Sequence, residues 1–137
     1  MWMRRVSALV IDTSSWISYF AGRGGESIDE ALAEARAYLT PVVAAELLSG
    51  TLTRRERRDL EELLTDLPLC VCDREHWFRV GRLRGELRRR GLTVSTPDAH
   101  VAQATLDLRG VLLSEDRVFA QIASHVPLAL RPAAQSQ

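Results

Sequence analysis

The chain has 137 residues, of which 46% are hydrophobic, and its 18 basic residues balance its 18 acidic residues. This composition is typical of one globular domain, and the zero net charge gives no indication of a nucleic-acid partner. Every basic residue is arginine. A P-loop, a protein kinase and Schiff-base catalysis are therefore excluded, since each of them requires a lysine.

The chain is predicted to form a single domain over residues 1–131, followed by a flexible polar tail at 132–137. No segment approaches the length of a membrane-spanning helix, and the N-terminus has no signal-peptide cleavage pattern. Two cysteines are too few for a disulfide framework. We therefore expect a cytoplasmic protein that does not contact a membrane.

In the first half of the chain, an apolar run at 6–11 predicts a strand that is covered on both faces and ends on Asp12. Thr40 followed by Pro41 predicts a helix start, with a hydroxyl cap and a proline in the first turn. Helices are predicted at 14–20, 27–37, 41–48 and 53–65, with a brief strand at 38–40.

In the second half, Asp73 is predicted to cap a long helix that continues to Arg90 and stops at Gly91. Strands are predicted at 67–72, 110–113 and 126–130, and further helices at 97–108 and 116–123. Strands that alternate with helices predict an α/β fold, in which helices cover both faces of a central, mainly parallel sheet of four or five strands.

Cys70 and Cys72 lie in the predicted strand at 67–72, where residues two apart point to the same face. We interpret them as buried thiols that pack in the core. A zinc site would require two more ligands, and the histidines of the chain lack a metal-ligand spacing. These histidines are His76, His100 and His125.

Four acidic residues are predicted to converge on one edge of the sheet. Helices that connect parallel strands begin at the edge where the strands end. Asp12 and Asp116 follow strands, whereas Glu46 and Asp98 lie near the starts of helices. Taken singly, each acid is better explained as a helix cap, a favourable first-turn charge or a solvated side chain. Their shared position favours a common site.

Carboxylates gathered in one place repel one another, and a divalent cation would relieve that repulsion. Oxygen ligands without histidine or cysteine favour Mg²⁺ or Mn²⁺ over zinc. Such a metal activates water and stabilises charge on a phosphate. The predicted reaction is hydrolysis of a phosphodiester, with Asp12, Asp98 and Asp116 as metal ligands. Glu46 is predicted to be a further ligand or to position the attacking water.

Four motifs occur in order along nearly the whole chain: VIDTSSW, the glutamate of VVAAELLSG, TPDAHVAQ and LLSEDRVF. In these motifs the chain resembles the PIN domain family, in particular the VapC-type ribonuclease toxins of bacterial toxin–antitoxin pairs. The resemblance implies a three-layer α/β/α fold, a ribonuclease that depends on Mg²⁺ or Mn²⁺, frequent homodimers, and a cognate antitoxin.

By this resemblance the four acids are the metal-binding residues of the family. Ser114 matches the hydroxyl residue before the last acid, and Thr13 or Ser14 matches the polar residue after the first. Family members often carry one more acid, two residues after the last, where this chain has Val118. Whether the site holds one metal ion or two therefore stays open. The alternative to a nuclease is a PIN-fold module that binds RNA or regulates without useful catalysis.

Most arginines are expected to form solvated helix surfaces with nearby glutamates. Arg82 and Arg89 are nevertheless candidates for contact with an RNA backbone. His100 and Gln103 are predicted to lie on a helix surface, with a position near the acidic site as the alternative. Trp77 and Phe78 are predicted to pack in the core rather than to stack on bases. The apolar residues at 16–20 are assigned to packing on the sheet, with a groove for a partner segment as the alternative.

Overall fold

The structure, a computed structural model, describes residues 7–132. Helices connect the strands along these residues, as the sequence predicts, with two helices after the first strand and four after the second. The strands are β1 (Leu9–Ile11), β2 (Ala37–Tyr38), β3 (Val111–Ser114) and β4 (Leu130–Pro132). The helices are α1 (Thr13–Phe20), α2 (Glu26–Ala33), α3 (Pro41–Leu48), α4 (Arg54–Thr65), α5 (Arg74–Arg89), α6 (Thr96–Leu108) and α7 (Val118–Ala123).

The strands form one parallel sheet in the order β2-β1-β3-β4, with helices in layers on its two faces. The predicted α/β architecture is therefore confirmed. β1 lies inside the sheet and every residue of it is buried, which explains its uninterrupted apolar sequence. α6 packs against β1 and β3 and contributes buried alanines to the core. No helix among the described residues combines the length and the apolarity needed to cross a membrane.

Local capping determines where several helices begin. Thr40 Oγ1 accepts a hydrogen bond from the backbone N–H of Val43 at 3.2 Å, and Pro41 lies in the first turn of α3. Asp73 accepts from the N–H of His76 at 3.1 Å and starts α5. α6 begins one residue earlier than predicted because Ser95 is its cap.

The predicted strand at 67–72 is reduced to a single bridge between Leu39 and Leu69. The backbone N–H of Leu39 donates to the carbonyl of Pro68, and the backbone N–H of Cys70 donates to the carbonyl of Leu39. The ladder ends there because the chain after Leu39 turns into α3, and Pro41 has no N–H to donate. Cys70 is buried as predicted, whereas Cys72 is only partly buried.

The last strand also differs from the prediction of 126–130, since β4 begins only at Leu130. Pro127 cannot donate to a ladder, and the N–H of Leu128 bonds back to the carbonyl of Val126 at 2.7 Å. Of the predicted tail, residues 133–137 lie outside the described residues, as do residues 1–6 of the N-terminus. The assignment of residues 1–131 to a single domain stays a prediction.

The prediction that Trp77 and Phe78 pack in the core is wrong, because they are 38% and 53% exposed. α5 turns Val80, Leu83 and Leu87 towards the core and leaves Phe78 and part of Trp77 at the surface.

Candidate functional site

The carboxyl ends of β1 and β3 bring Asp12 and Ser114 together. Ile11 pairs with Leu113 across the two strands, so the residues that follow are neighbours. The hydroxyl of Ser114 donates to Asp12 Oδ2 at 2.9 Å, and the hydroxyl of Ser14 donates to the same oxygen at 3.3 Å. Asp12 is only 8% exposed. Two hydroxyls therefore fix the orientation of a nearly buried carboxylate.

The turn after β3 positions Asp116. Its backbone N–H donates to the hydroxyl of Ser114 at 3.0 Å, and the N–H of Glu115 donates to the hydroxyl of Ser14 at 3.1 Å. Asp116 Oδ1 accepts from the N–H of Val118 at 3.0 Å. Ser14 and Ser114 thus join this turn to the end of β1, and the Asp116 carboxylate is exposed beside it.

Glu46 reaches the site from α3. Thr13 at the start of α1 donates its hydroxyl to Glu46 Oε1 at 2.6 Å. The Glu46 side chain is exposed. α3 buries Val43 and Leu47 and turns Glu46 outwards to α1. Thr13 and Ser14 therefore have different contacts, one with Glu46 and the other with Asp12.

Electrostatic coupling shows that Asp98, in the first turn of α6, belongs to the same group. Burial raises the pKa of the Asp98 carboxyl, and the charges of Asp116 and Glu46 raise it further. Burial also raises the pKa of Asp12, with an added contribution from Asp98, although hydrogen bonds from hydroxyls oppose the rise. The four acids therefore share one electrostatic environment at the edge of the sheet.

The four carboxylates fit a hard divalent cation. None of the ion pairs among the described residues includes any of them. In that part of the chain, the side chains whose metal-binding atoms lie within 4.8 Å of one another are one cysteine and two histidines. The four acids do not all lie that close together. Mg²⁺ tolerates a wider arrangement of carboxylates because it keeps several of its waters. Oxygen ligands without nitrogen or sulfur donors are those that hard divalent cations prefer.

The prediction of His100 and Gln103 as surface residues is wrong, since His100 is fully buried and Gln103 is 9% exposed. His100 follows Asp98 by two residues, so its side chain leaves α6 in a different direction and meets α5. His76 Nε2 and His100 Nδ1 lie 2.7 Å apart. Burial lowers the pKa of His100 to about 4, so the ring is neutral at physiological pH.

A cavity of about 490 Å³ lies beside Asp116 and Ser114. Three arginines from distant parts of the sequence line it, namely Arg23, Arg117 and Arg131. Arg23 donates to the hydroxyl of Ser18 and Arg131 to the hydroxyl of Ser27, both at 3.3 Å. Sequence reasoning missed these arginines because each is isolated in the chain. The only local sign is the Gly22–Gly25 turn that carries Arg23.

Arg82 and Arg89 lie on α5 and line a different cavity of about 890 Å³, together with Trp77 and Phe78. None of the four acids lines that cavity. Arg89 is paired with Glu86, whereas Arg82 has no ion pair among the described residues. Their role in RNA binding stays a prediction.

The sequence and the fold were both compared with known proteins. The comparison with curated proteins gives no match. VapBC2 from Rickettsia felis, solved bound to a promoter DNA fragment, aligns with a TM-score of 0.74 at 17% identity, over 93% of this chain and 99% of that one. DNA-bound VapBC from Salmonella typhimurium aligns with a TM-score of 0.74 at 19% identity, over 93% and 98%.

A third solved structure is VapBC-5 from Mycobacterium tuberculosis, a member of the VapBC family of toxin–antitoxin systems. It has a TM-score of 0.63 at 24% identity and covers 95% of this chain and 100% of that one. These likenesses confirm the three-layer α/β/α fold. The family model of the PIN domain matches residues 9–124. The chain belongs to the PIN domain family.

Proposed function

We propose that this protein is a divalent-metal-dependent endoribonuclease and the toxin of a toxin–antitoxin pair. The observation that carries the proposal is the convergence of Asp12, Glu46, Asp98 and Asp116 on one edge of the sheet. Burial and mutual repulsion raise the pKa of two of these acids. A protein that used them only as helix caps would have no need to place them in one electrostatic environment.

In this proposal Asp12, Asp98 and Asp116 hold Mg²⁺ or Mn²⁺. A cation held there supplies activation of water and stabilisation of charge on a phosphate. Ser14 and Ser114 keep the Asp12 carboxylate in one orientation. Glu46 Oε1 accepts a hydrogen bond from the Thr13 hydroxyl. Glu46 Oε2 is then available to orient the attacking water or to accept a proton from that water.

The RNA backbone is proposed to pass the cavity beside Asp116, where Arg23, Arg117 and Arg131 offer charge to phosphates. Arg82 and Arg89 extend this interaction to α5 in the same proposal. The reaction is assigned to the cytoplasm, where its RNA substrates are.

The proposed protein partners are a cognate antitoxin and a second copy of the chain. Solved structures of the same fold are toxin–antitoxin complexes, which supports the antitoxin. On α1, Ile17 and Phe20 are 53% and 48% exposed, as expected of a helix that offers apolar surface to a partner.

The test is cleavage of total cellular RNA by the purified, partner-free protein with Mg²⁺, with Mn²⁺ and with EDTA. Asp98→Asn is expected to abolish cleavage because it removes a metal ligand with little change in shape. Glu62→Gln neutralises an exposed acid on α4 and serves as the matched control. Discrete fragments that require metal, survive in Glu62→Gln and vanish in Asp98→Asn support the proposal.

Folded wild-type protein that cleaves in none of these conditions would contradict the nuclease and favour an RNA-binding module. Cleavage that persists in Asp98→Asn would contradict the assignment of the site.

A further inference from the structure

A second group of metal-binding side chains lies where α5 meets α6. The donor atoms of Cys72, His76 and His100 all lie within 4.8 Å of one another. Both imidazole rings are fully buried, and Cys72 is partly buried. Cys72 directly precedes the cap of α5 and His76 lies in its first turn, so the group joins the starts of two packed helices.

Hydrogen bonds orient His76 towards the centre of this group. Asp107 accepts from His76 Nδ1 at 3.1 Å, and Arg79 and Gln103 hold the same carboxylate in place. With its proton on Nδ1, His76 carries a lone pair on Nε2, which faces His100 at 2.7 Å. A carboxylate behind the far nitrogen of a histidine is the arrangement that orients metal-ligating imidazoles.

A purely structural role accounts less well for the two histidines. A buried histidine normally has partners for both ring nitrogens. His100 Nε2 is buried and has no hydrogen-bond partner within residues 7–132. The ring of Trp77 stacks on His100 with centroids 4.7 Å apart and planes at 8°, and contacts His76 edge-on. An aromatic side chain therefore shields the group, and the hydrogen bonds from Asp107 through His76 to His100 leave His100 Nε2 without a partner among the described residues.

We propose that Cys72, His76 and His100 form a binding site for Zn²⁺, separate from the carboxylates. Sulfur and imidazole nitrogen are preferred ligands of zinc, whereas Mg²⁺ and Mn²⁺ prefer oxygen. As zinc binds, the Cys72 thiol releases its proton to solvent, and the His100 proton shifts from Nδ1 to Nε2 so that Nδ1 can bind the metal. Three protein ligands leave a fourth position, to be filled by water. The site does not depend on the proposed nuclease.

The first test uses Co²⁺ as a spectroscopic substitute for Zn²⁺, with the protein kept reduced. We expect thiolate-to-cobalt charge-transfer absorption in the wild type and in Cys70→Ala, where Cys72 is the only thiol of the chain. The absorption is expected to be lost in Cys72→Ser, a partly exposed position at which serine is close in size. Absence of the band from the wild type, or its survival in Cys72→Ser, would overturn the proposal.

The second test measures zinc affinity by competition with a chromophoric chelator, with folding of each variant checked by circular dichroism. His76→Gln and Cys72→Ser are expected to weaken zinc binding by at least about 10-fold, since loss of a ligand costs no less than loss of a group that only orients one. Asp116→Asn alters only the carboxylate site and is expected to bind zinc as the wild type does. An equal loss in Asp116→Asn would place zinc at the carboxylates and overturn the proposal. If His76→Gln does not fold, Cys72→Ser decides.

Discussion

At the scale of single residues, two aspartates of α6 occupy opposite electrostatic environments. Burial raises the pKa of Asp98, and the nearby acids add to the rise. Burial also opposes ionisation of Asp107, but hydrogen bonds from Arg79, Gln103 and His76 hold its pKa below the ordinary value. One carboxylate is therefore a cost to the folded state at neutral pH, and the other stabilises it.

Asp98→Asn should therefore stabilise the metal-free protein at pH 7, and Asp107→Asn should destabilise it. Because the folded state binds the Asp98 proton more tightly than the unfolded state does, the contribution of Asp98 to the free energy of unfolding falls as the pH rises from 3.8 through the raised pKa of the folded state. The gain in Asp98→Asn should shrink on acidification. Ionised Asp107 instead adds to the free energy of unfolding at neutral pH, and this stabilisation is lost as the pH falls.

Each change is expected to be about 1 kcal/mol after allowance for solvent screening. Urea unfolding with EDTA, between pH 7 and pH 4, measures both variants against the wild type. An Asp98→Asn protein that is less stable than the wild type at pH 7 would show that this carboxylate serves the fold rather than a ligand.

At the scale of elements, the sequence predicts the end of a helix or strand well where local capping sets that end, and poorly where pairing with a distant strand sets it. α3 has the predicted bounds because its start depends only on the local cap of Thr40 and Pro41. The length of an edge strand depends on how far its neighbouring strand continues. The apolar runs therefore could not predict that pairing at Leu69 is a single bridge or that β4 begins only at Leu130.

The same distinction applies to the two sites. The common edge of the four acids follows from parallel topology, which a pattern of alternating elements indicates. The group of Cys72, His76 and His100 depends on how α5 packs against α6. No spacing along the chain encodes that packing, so the sequence predicts neither the burial of His100 nor its contact with His76.

Ser114 connects two elements of the candidate site, so its substitution tests their coupling. Ser114→Ala removes the hydroxyl that donates to Asp12 and accepts from the N–H of Asp116. We expect kcat for RNA cleavage to fall by about 10- to 100-fold with little change in KM, since the carboxylates lose their relative position. The stability loss should be about 1 kcal/mol.

Ser114→Thr keeps the hydroxyl and should restore most of the activity, which separates positioning from a general loss of packing. A Ser114→Ala protein with wild-type kcat would mean that the turn after β3 holds Asp116 without this hydroxyl.

At the scale of the whole molecule, a net charge of zero conceals a separation of charges. The acids gather at one edge of the sheet, and arginines line the cavity directly beside them. Further arginines follow α5 around the second cavity. A phosphate chain attracted to the arginines would pass close to the carboxylates, and the cation proposed there would offset their repulsion of phosphate.

The salt dependence of RNA binding distinguishes the two arginine surfaces. Arg23→Ala and Arg131→Ala should each reduce the slope of log affinity against log salt by about one, because each removes one phosphate contact. Arg82→Ala should reduce the slope by the same amount if the RNA backbone reaches α5. Arg58→Ala removes an exposed arginine of α4 and is the matched control. Binding measured by fluorescence anisotropy, with Asp98→Asn protein to prevent cleavage, gives the slopes. Unchanged slopes in Arg23→Ala and Arg131→Ala, with a reduced slope in Arg82→Ala, would move the RNA path from the cavity beside Asp116 to α5.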